Sequence, residues 1–324
     1  MKTKSLFCML IVTLAAAACA PQAPPTATPP PSPLPAFETA TLIPASATPI
    51  VIETALVPSA TLAPTLNPAV TATSLPPVTG MNNPYAVVLV LPGDVLNIRT
   101  GAGVGNSIVG TLQPTASGVN RTGPAASAGG DRWVEIQNPG GGTGWVNANF
   151  LTEHVSSSAF CADARVTSLL NDLKSALLNS NGDLLRALVS PVHGLDLRLW
   201  RYGTVANYSP EEAQWAFQSE YEVSWGAAPG SGEETKGTFT AQPLPKLQEV
   251  FGGNYSMHCN DTLDLATFAL QPWSPEYANI NFYTIYKPGT EQYGGLDWRA
   301  WTVGVEYVEG KPTLFALIHF QWEP

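Results

Sequence analysis

The chain has 324 residues, of which 12% are charged, and its formal net charge is −10. This acidic balance lacks the cationic surface that DNA and RNA backbones require, which excludes a nucleic-acid binder. Half of the 60 residues between Pro21 and Gly80 are proline, threonine or serine, and this excludes about a fifth of the protein from any hydrophobic core.

The first 19 residues have the pattern of an export signal. Two lysines precede an apolar run from Leu6 to Leu14, which is too short for a membrane span and is typical of a secretory signal. The next residues, Ala16-Ala17-Ala18-Cys19, resemble the lipobox of bacterial lipoproteins, in which the cysteine is lipidated. The resemblance implies a lipoprotein signal peptide over residues 1–19. It also implies a lipid on Cys19 that holds the chain at the extracytoplasmic face of a membrane in the cell envelope. An ordinary signal peptide, cut at a neighbouring alanine, is the alternative.

Residues 20–81 are predicted to form a disordered tether. Between Pro21 and Gly80 there are fifteen prolines, eleven threonines, one aromatic residue and no lysine or arginine. Proline fixes φ and biases the preceding residue toward extended conformations, which favours polyproline II and a reach of about 3.1 Å per residue. We therefore expect this segment to hold the rest of the chain away from the membrane.

Short apolar runs alternate with turn residues over residues 82–155, which predicts a small all-β module. The expected strands are Tyr85–Leu91, Val95–Arg99, Ser107–Leu112, Arg132–Ile136 and Gly144–Val146. A stretch rich in glycine, alanine and serine, Gln113–Gly130, stands where a regular hairpin would be expected. The sequence therefore predicts an irregular middle for this module.

The motifs of this module are similar to those of bacterial SH3-like (SH3b) domains. They are Leu96-Asn97-Ile98-Arg99-Thr100-Gly101, Ile108-Val109-Gly110-Thr111-Leu112 and Gly144-Trp145-Val146 with Leu151. The resemblance implies a small SH3-like barrel that binds cell-wall peptide or another envelope ligand. The candidate ligand-binding residues are Arg99, Trp133, Trp145 and Asn147. The alternative is structural, with both tryptophans in the core and the arginine paired with an aspartate.

Residues 156–324 are predicted to form an α+β domain of unknown function with an antiparallel sheet, because helical patterns come first and strands follow. The expected helices are 162–179, 183–189, 210–218 and 247–251, and the expected strands are 195–199, 221–225, 255–259, 279–286, 298–308 and 313–322. Ser209-Pro210-Glu211-Glu212 has the N-cap, the N1 proline and the N3 glutamate of a capped helix.

Several landmarks of this domain resemble an uncharacterised domain that accompanies SH3-like domains in surface lipoproteins. They are Ser190-Pro191 with Gly194-Leu195, Trp225-Gly226, Asp297-Trp298 and Ile318-His319-Phe320-Gln321-Trp322. The resemblance supports the architecture and implies no activity.

The sequence predicts no catalytic motif, no metal site and no cofactor. The four histidines form no H-E-x-x-H pair, and Cys161 lacks the D-C-S-G context of NlpC-type peptidases. A glycosidase needs only one or two carboxylates, so Glu211, Glu212 and Asp297 leave a cell-wall hydrolase as one alternative.

Aromatic residues of the same domain leave a second alternative, a sugar- or solute-binding lipoprotein. The candidate cleft residues are Trp200, Trp273, Trp298 and Trp301, with Glu306 as a second acceptor of hydroxyl hydrogen bonds beside Asp297. Packing of these rings in the core is the competing interpretation.

Cys161 and Cys259 are the two cysteines outside the signal segment, and an exported protein meets an oxidising environment. We expect them to form a disulfide, with free thiols as the alternative. The combined prediction is a non-enzymatic, surface-anchored lipoprotein whose SH3-like module binds cell-wall peptide or another envelope ligand. Its expected contacts are the membrane, through the lipid, and peptidoglycan or wall peptide.

Overall fold

The computed structural model describes residues 73–75, 84–263 and 274–323, all of which belong to one compact unit, Pro64–Pro324. The predicted signal peptide, Cys19, most of the predicted tether and Trp273 lie outside the described residues. Within the predicted tether, Thr73–Leu75 form a strand that pairs antiparallel with a strand of the next module. None of the helices among the described residues has the length and apolar character needed to span a bilayer.

The N-terminal module is an antiparallel β structure. Its strands are β1 (Thr73–Leu75), β2 (Tyr85–Val87), β3 (Leu96–Arg99), β4 (Ile108–Leu112), β5 (Arg121–Ala128), β6 (Asp131–Gln137), β7 (Thr143–Asn147) and β8 (Leu151–Glu153). Six of them form a sheet in the order β1-β5-β6-β7-β3-β4, and β2 pairs separately with β8. Among the described residues no ladder joins β4 to β1, so this sheet is open and the predicted small barrel is not confirmed.

The stretch where the sequence predicted an irregular middle is irregular over residues 113–120 but forms a hairpin strand over Arg121–Ala128, so the prediction is wrong for its second half. Strand β5 lies within Gln113–Gly130 and pairs with β6, with a register shift between Arg121 and Ala125. Alanine and glycine have low β propensity, which hides the strand from sequence patterns. In the structure a small residue is useful there, because Ala126 lies opposite Trp133, whose side chain is buried.

The C-terminal domain is α+β, as the sequence predicted. Its helices are α1 (Ser157–Ala162), α2 (Ala164–Leu178), α3 (Gly182–Leu188), α4 (Pro210–Trp215) and α5 (Pro243–Phe251). Its strands are β9 (Leu195–Arg198), β10 (Val205–Tyr208), β11 (Val223–Ala227), β12 (Glu234–Gly237), β13 (Ser256–Cys259), β14 (Asn281–Lys287), β15 (Arg299–Val308) and β16 (Lys311–Gln321). The main sheet has the order β10-β9-β16-β15-β14-β13, and all of its ladders are antiparallel except β16 with β9.

The main sheet has an apolar cluster on each face. On one face, Leu173 of α2 and Leu247 of α5 belong to a buried cluster with Trp301 of β15. On the other face, Val88 of the N-terminal module is fully buried in a cluster with Phe315 of β16. Burial of apolar surface therefore joins the two modules as well as the helices to the sheet.

Cys161 and Cys259 form the predicted disulfide. The bond connects α1 to β13, the edge strand of the main sheet, across a sequence separation of 98 residues. In the chain-entropy model, closing a loop of this size stabilises the folded state by about 4 to 5 kcal/mol.

Candidate functional site

A groove of about 780 Å³ lies between the N-terminal module and the C-terminal domain, and we call it the intermodule groove. The module contributes residues of β6 and β8, including Arg132 and Thr152. The domain contributes residues of α3 and of the β15–β16 hairpin, including Arg186 and Lys311. Any ligand held here would contact both parts of the chain.

Glu306 of β15 lies at the bottom of the groove and is paired with His193. The side chains are 1% and 3% exposed, and His193 Nδ1 lies 2.7 Å from Glu306 Oε2. His193 Nε2 lies 3.2 Å from the carbonyl oxygen of Asn149, and Thr152 Oγ1 donates to Glu306 Oε2 at 3.1 Å. Both ring nitrogens of His193 and one carboxyl oxygen of Glu306 thus have further partners, and the two side chains form a buried hydrogen-bonded pair.

The loop that presents His193 is built around Ser190 and Gly194. The Oγ atom of Ser190, which is fully buried, accepts hydrogen bonds from the backbone N–H groups of Val192 and His193, both at 3.1 Å. Gly194 has φ +75°, and a Cβ atom there would lie 2.7 Å from Asn207 Oδ1. Only glycine fits this position without strain. The Ser190-Pro191 and Gly194-Leu195 landmarks thus mark the loop that holds the histidine.

Glu153 of β8 is a second buried carboxyl group beside the groove. It is 7% exposed and accepts hydrogen bonds from the backbone N–H groups of Glu309, at 2.7 Å, and Gly310, at 3.0 Å. Burial raises the pKa of Glu153, the two backbone bonds oppose this shift, and repulsion from Glu306 and Glu309 adds to it. Each oxygen is occupied by an N–H group, so Glu153 clamps the turn of the β15–β16 hairpin onto the module.

Cationic side chains from both parts of the chain line the groove. Arg121 donates from Nη1 to the Tyr85 hydroxyl at 3.1 Å, and Arg186 donates from Nη2 to Glu211 Oε1 at 3.3 Å. Arg132 and Lys311 are exposed and form no ion pair with any of the described residues.

Carboxylates also line the groove, so its charge is mixed. Asp183, Glu211 and Glu309 are exposed on its α3 and hairpin side. A lining with separate cations and anions suits a ligand that carries both amino and carboxylate groups, because each charge then meets its opposite.

None of the four predicted ligand residues lines this groove. Cross-strand pairing brings them together in two pairs on neighbouring strands, Arg99 with Trp145 and Trp133 with Asn147. Trp133 is 3% exposed and its Nε1 donates to the carbonyl of Ala128 at 3.2 Å. This residue therefore has the structural role in the core that was the alternative to ligand binding. Trp145 is half-buried, and a ligand-binding role for these four residues stays a prediction.

The remaining two predicted side chains have local partners. Arg99 donates from Nη1 to the carbonyl of Asn106 at 2.8 Å instead of pairing with an aspartate. Asn147 Oδ1 accepts a hydrogen bond from the backbone N–H of Asn149 at 3.0 Å. Both contacts shape loops of the N-terminal module.

The three carboxylates considered for a hydrolase also have structural partners. Glu212 completes the predicted capping box. Its carboxylate accepts from the backbone N–H of Ser209 at 2.8 Å, and Ser209 Oγ accepts from the backbone N–H of Glu212. Asp297 accepts from the N–H of Thr290, which lowers the pKa of this exposed carboxyl group. Glu211 pairs with Arg186.

The sugar-binding cleft that the sequence suggested is not formed by the tryptophans that the structure describes. Trp200, Trp298 and Trp301 are 9%, 1% and 0% exposed, so these rings belong to the core. Exposed aromatic side chains of the domain include Trp215 and Tyr221 instead, at 58% and 77%. Neither was singled out from the sequence, because periodicity does not report which rings remain uncovered.

No family model matches the chain, and no curated protein or solved structure matches it significantly. Within the part of the chain that the structure describes, no group of three or more histidine, cysteine, aspartate or glutamate side chains could hold a metal ion.

Proposed function

We propose that the chain is a surface-anchored lipoprotein whose intermodule groove binds a peptide of the cell wall or another envelope peptide. The observation that carries the proposal is the convergence of Arg132 from the module and Lys311 from the domain on one groove that also presents carboxylates. Peptides with free amino and carboxylate groups meet a complementary charge on either side.

The anchoring part of the proposal rests on residues 1–81. Ala16-Ala17-Ala18-Cys19 resembles a lipobox, and the proline- and threonine-rich segment behind it supports a tether. The motifs around Leu96–Gly101 and Gly144–Val146 support an SH3-like module, whose described strands form an open antiparallel sheet. This arrangement would present the groove at a distance from the membrane.

The buried polar pairs beside the groove support binding rather than catalysis as its role. His193 and Glu306 hold each other and a backbone carbonyl, and Glu153 holds two backbone N–H groups. These side chains are almost fully covered and bonded to the protein, so they preorganise the walls of the groove for a ligand.

The test is sedimentation of the full chain, in detergent micelles, with purified cell wall. We expect the chain to sediment with the wall, and Arg132→Ala combined with Lys311→Ala to abolish this. Lys236→Ala is the matched control, because Lys236 is an exposed cation of β12 outside the groove.

Two outcomes would contradict the proposal. Sedimentation that is unchanged in the double variant but lost in Trp145→Ala would place the binding site around Trp145 of the N-terminal module. Release of soluble wall fragments by the wild-type chain would instead support the hydrolase alternative.

A further inference from the structure

A second groove, of about 480 Å³, lies between β10 and the segment that follows α4. We call it the aromatic groove. Tyr208 and Phe239 line it and are mostly covered, whereas Trp215 and Tyr221 line it and are 58% and 77% exposed. Large aromatic surface that is left in water next to a concave site is a mark of binding rather than of packing.

Hydrogen bonds of the local chain order the backbone that carries the two exposed rings. Helix α4 ends at Trp215, whose carbonyl accepts hydrogen bonds from the N–H groups of Gln218 and Ser219 at 2.9 and 2.8 Å. Ser219 Oγ then accepts from the N–H of Tyr221 at 3.2 Å. These bonds turn the chain back on itself, so Trp215 and Tyr221 line the same groove.

Aromatic packing supports the groove from beneath. Phe239 packs edge-on against Tyr208, with ring centroids 5.9 Å apart, and against Phe217, at 5.4 Å. Burial raises the pKa of Tyr208 to about 12, with the charge of Glu212 adding to the shift, so its hydroxyl stays neutral at physiological pH. The groove therefore has a rigid, uncharged base.

Carboxylates outnumber basic side chains around the aromatic groove, although one of them, Glu211, is paired with Arg186. Residues 202–235 contain six glutamates and no lysine or arginine. Glu211 and Glu212 line the groove, and Glu220 and Glu222 are exposed on either side of Tyr221 in the sequence. No basic side chain is among the lining residues. The groove thus combines exposed aromatic faces with an excess of carboxylates.

We propose that the aromatic groove binds a lysine- or arginine-bearing segment of a partner protein. A cationic side chain is attracted to the face of an aromatic ring by the ring quadrupole, and carboxylates nearby strengthen the attraction. A neutral sugar would also stack on the rings, but it would gain nothing from the excess negative charge. The site shares only Glu211 with the lining of the intermodule groove, so the two proposals can fail separately.

The test is a titration of the full chain, in detergent micelles, with acetyl-hexalysine amide, followed by tryptophan fluorescence and calorimetry. We expect binding that weakens as salt is added, because the charges are exposed and screened. Trp215→Ala and Tyr221→Ala should each weaken the affinity by roughly tenfold, the size expected for loss of a cation–π contact in a well-formed site. Glu220→Gln combined with Glu222→Gln should reduce the salt dependence.

The matched control is Tyr202→Ala, which removes a ring that is 75% exposed but lies outside the groove, over Arg201. Its affinity should equal that of the wild type. Equal binding of chitohexaose and hexalysine, or wild-type hexalysine affinity in both aromatic variants, would overturn the proposal. Because the Trp215 and Tyr221 side chains are exposed, circular dichroism should show unchanged folding in both variants.

Discussion

Both carboxylate oxygens of Glu306 lie within 2.9 Å of His193 Nδ1, in a place where neither side chain reaches water. The pair does not belong to the C-terminal domain alone, because Thr152 and the carbonyl of Asn149, both from the N-terminal module, complete its hydrogen bonds. The contact between the two modules is therefore polar at this point, as it is at Glu153, and the cluster around Val88 adds an apolar part. The shape of the intermodule groove depends on both.

The first prediction concerns this pair. His193→Gln and Glu306→Gln each replace one member of the buried pair with an amide that can make only part of its hydrogen bonds. Each change should lower the free energy of unfolding by roughly 1 to 3 kcal/mol. The double variant should lose less than the sum, since the interaction is then absent from both sides. Urea denaturation provides the measurement, with Lys236→Gln as an exposed control. Additive losses would show that the two residues do not interact.

The second prediction concerns pH and Glu153. Burial raises the pKa of this carboxyl group above its ordinary value of 4.5, so the folded state holds the proton more tightly than the unfolded state. The favourable contribution of protonated Glu153 to stability is complete below about pH 4.5 and is lost as the pH rises through the pKa of the folded state. The free energy of unfolding of Glu153→Gln, relative to that of the wild type, should therefore be higher at neutral pH than at pH 4. An unfolding series across this range checks the sign, and a constant difference would contradict it.

Much of the domain could be predicted because its signals are local. The apolar stripe of α2 and the capping box at Ser209 require only neighbouring residues, and both are present. The β15–β16 hairpin turns at Glu309 and Gly310, which have φ +52° and +71°, and a glycine in such a turn is visible in the sequence. Strand β5 was missed because its alanine and glycine residues have low β propensity and the sequence does not show its pairing with β6.

The candidate site could not be predicted in the same way. His193 and Glu306 are 113 residues apart, and the sequence does not say which carboxylate the histidine meets. Trp301 illustrates the same limit for aromatic residues. Its strand lies between β14 and β16 and packs with α2 and α5, so the ring is fully buried, whereas the sequence left both a cleft and the core open for it.

The third prediction concerns the loss of stability at acid pH. Hydrogen bonds from the Arg165 side chain lower the pKa of Asp163 to about 2, although burial opposes the shift. The stability that this carboxylate contributes is present above its ordinary value of 3.8 and is lost as the pH falls toward 2. Asp163→Asn keeps an oxygen that can accept from the N–H of Arg165 at the start of α2, so the helix cap is retained. The variant should lose less stability than the wild type between pH 4 and pH 2, and parallel acid-unfolding curves would contradict this.

The fourth prediction concerns the disulfide. Cys161→Ser combined with Cys259→Ser opens a loop of 98 residues and frees the edge strand β13 from α1. The free energy of unfolding should fall by about 2 to 5 kcal/mol, mostly because the unfolded chain gains freedom. Dithiothreitol should destabilise the wild type by a similar amount and leave the double variant unchanged, which separates loss of the bond from any effect of serine. Equal sensitivity of both proteins to the reductant would show that the bond does not stabilise the fold.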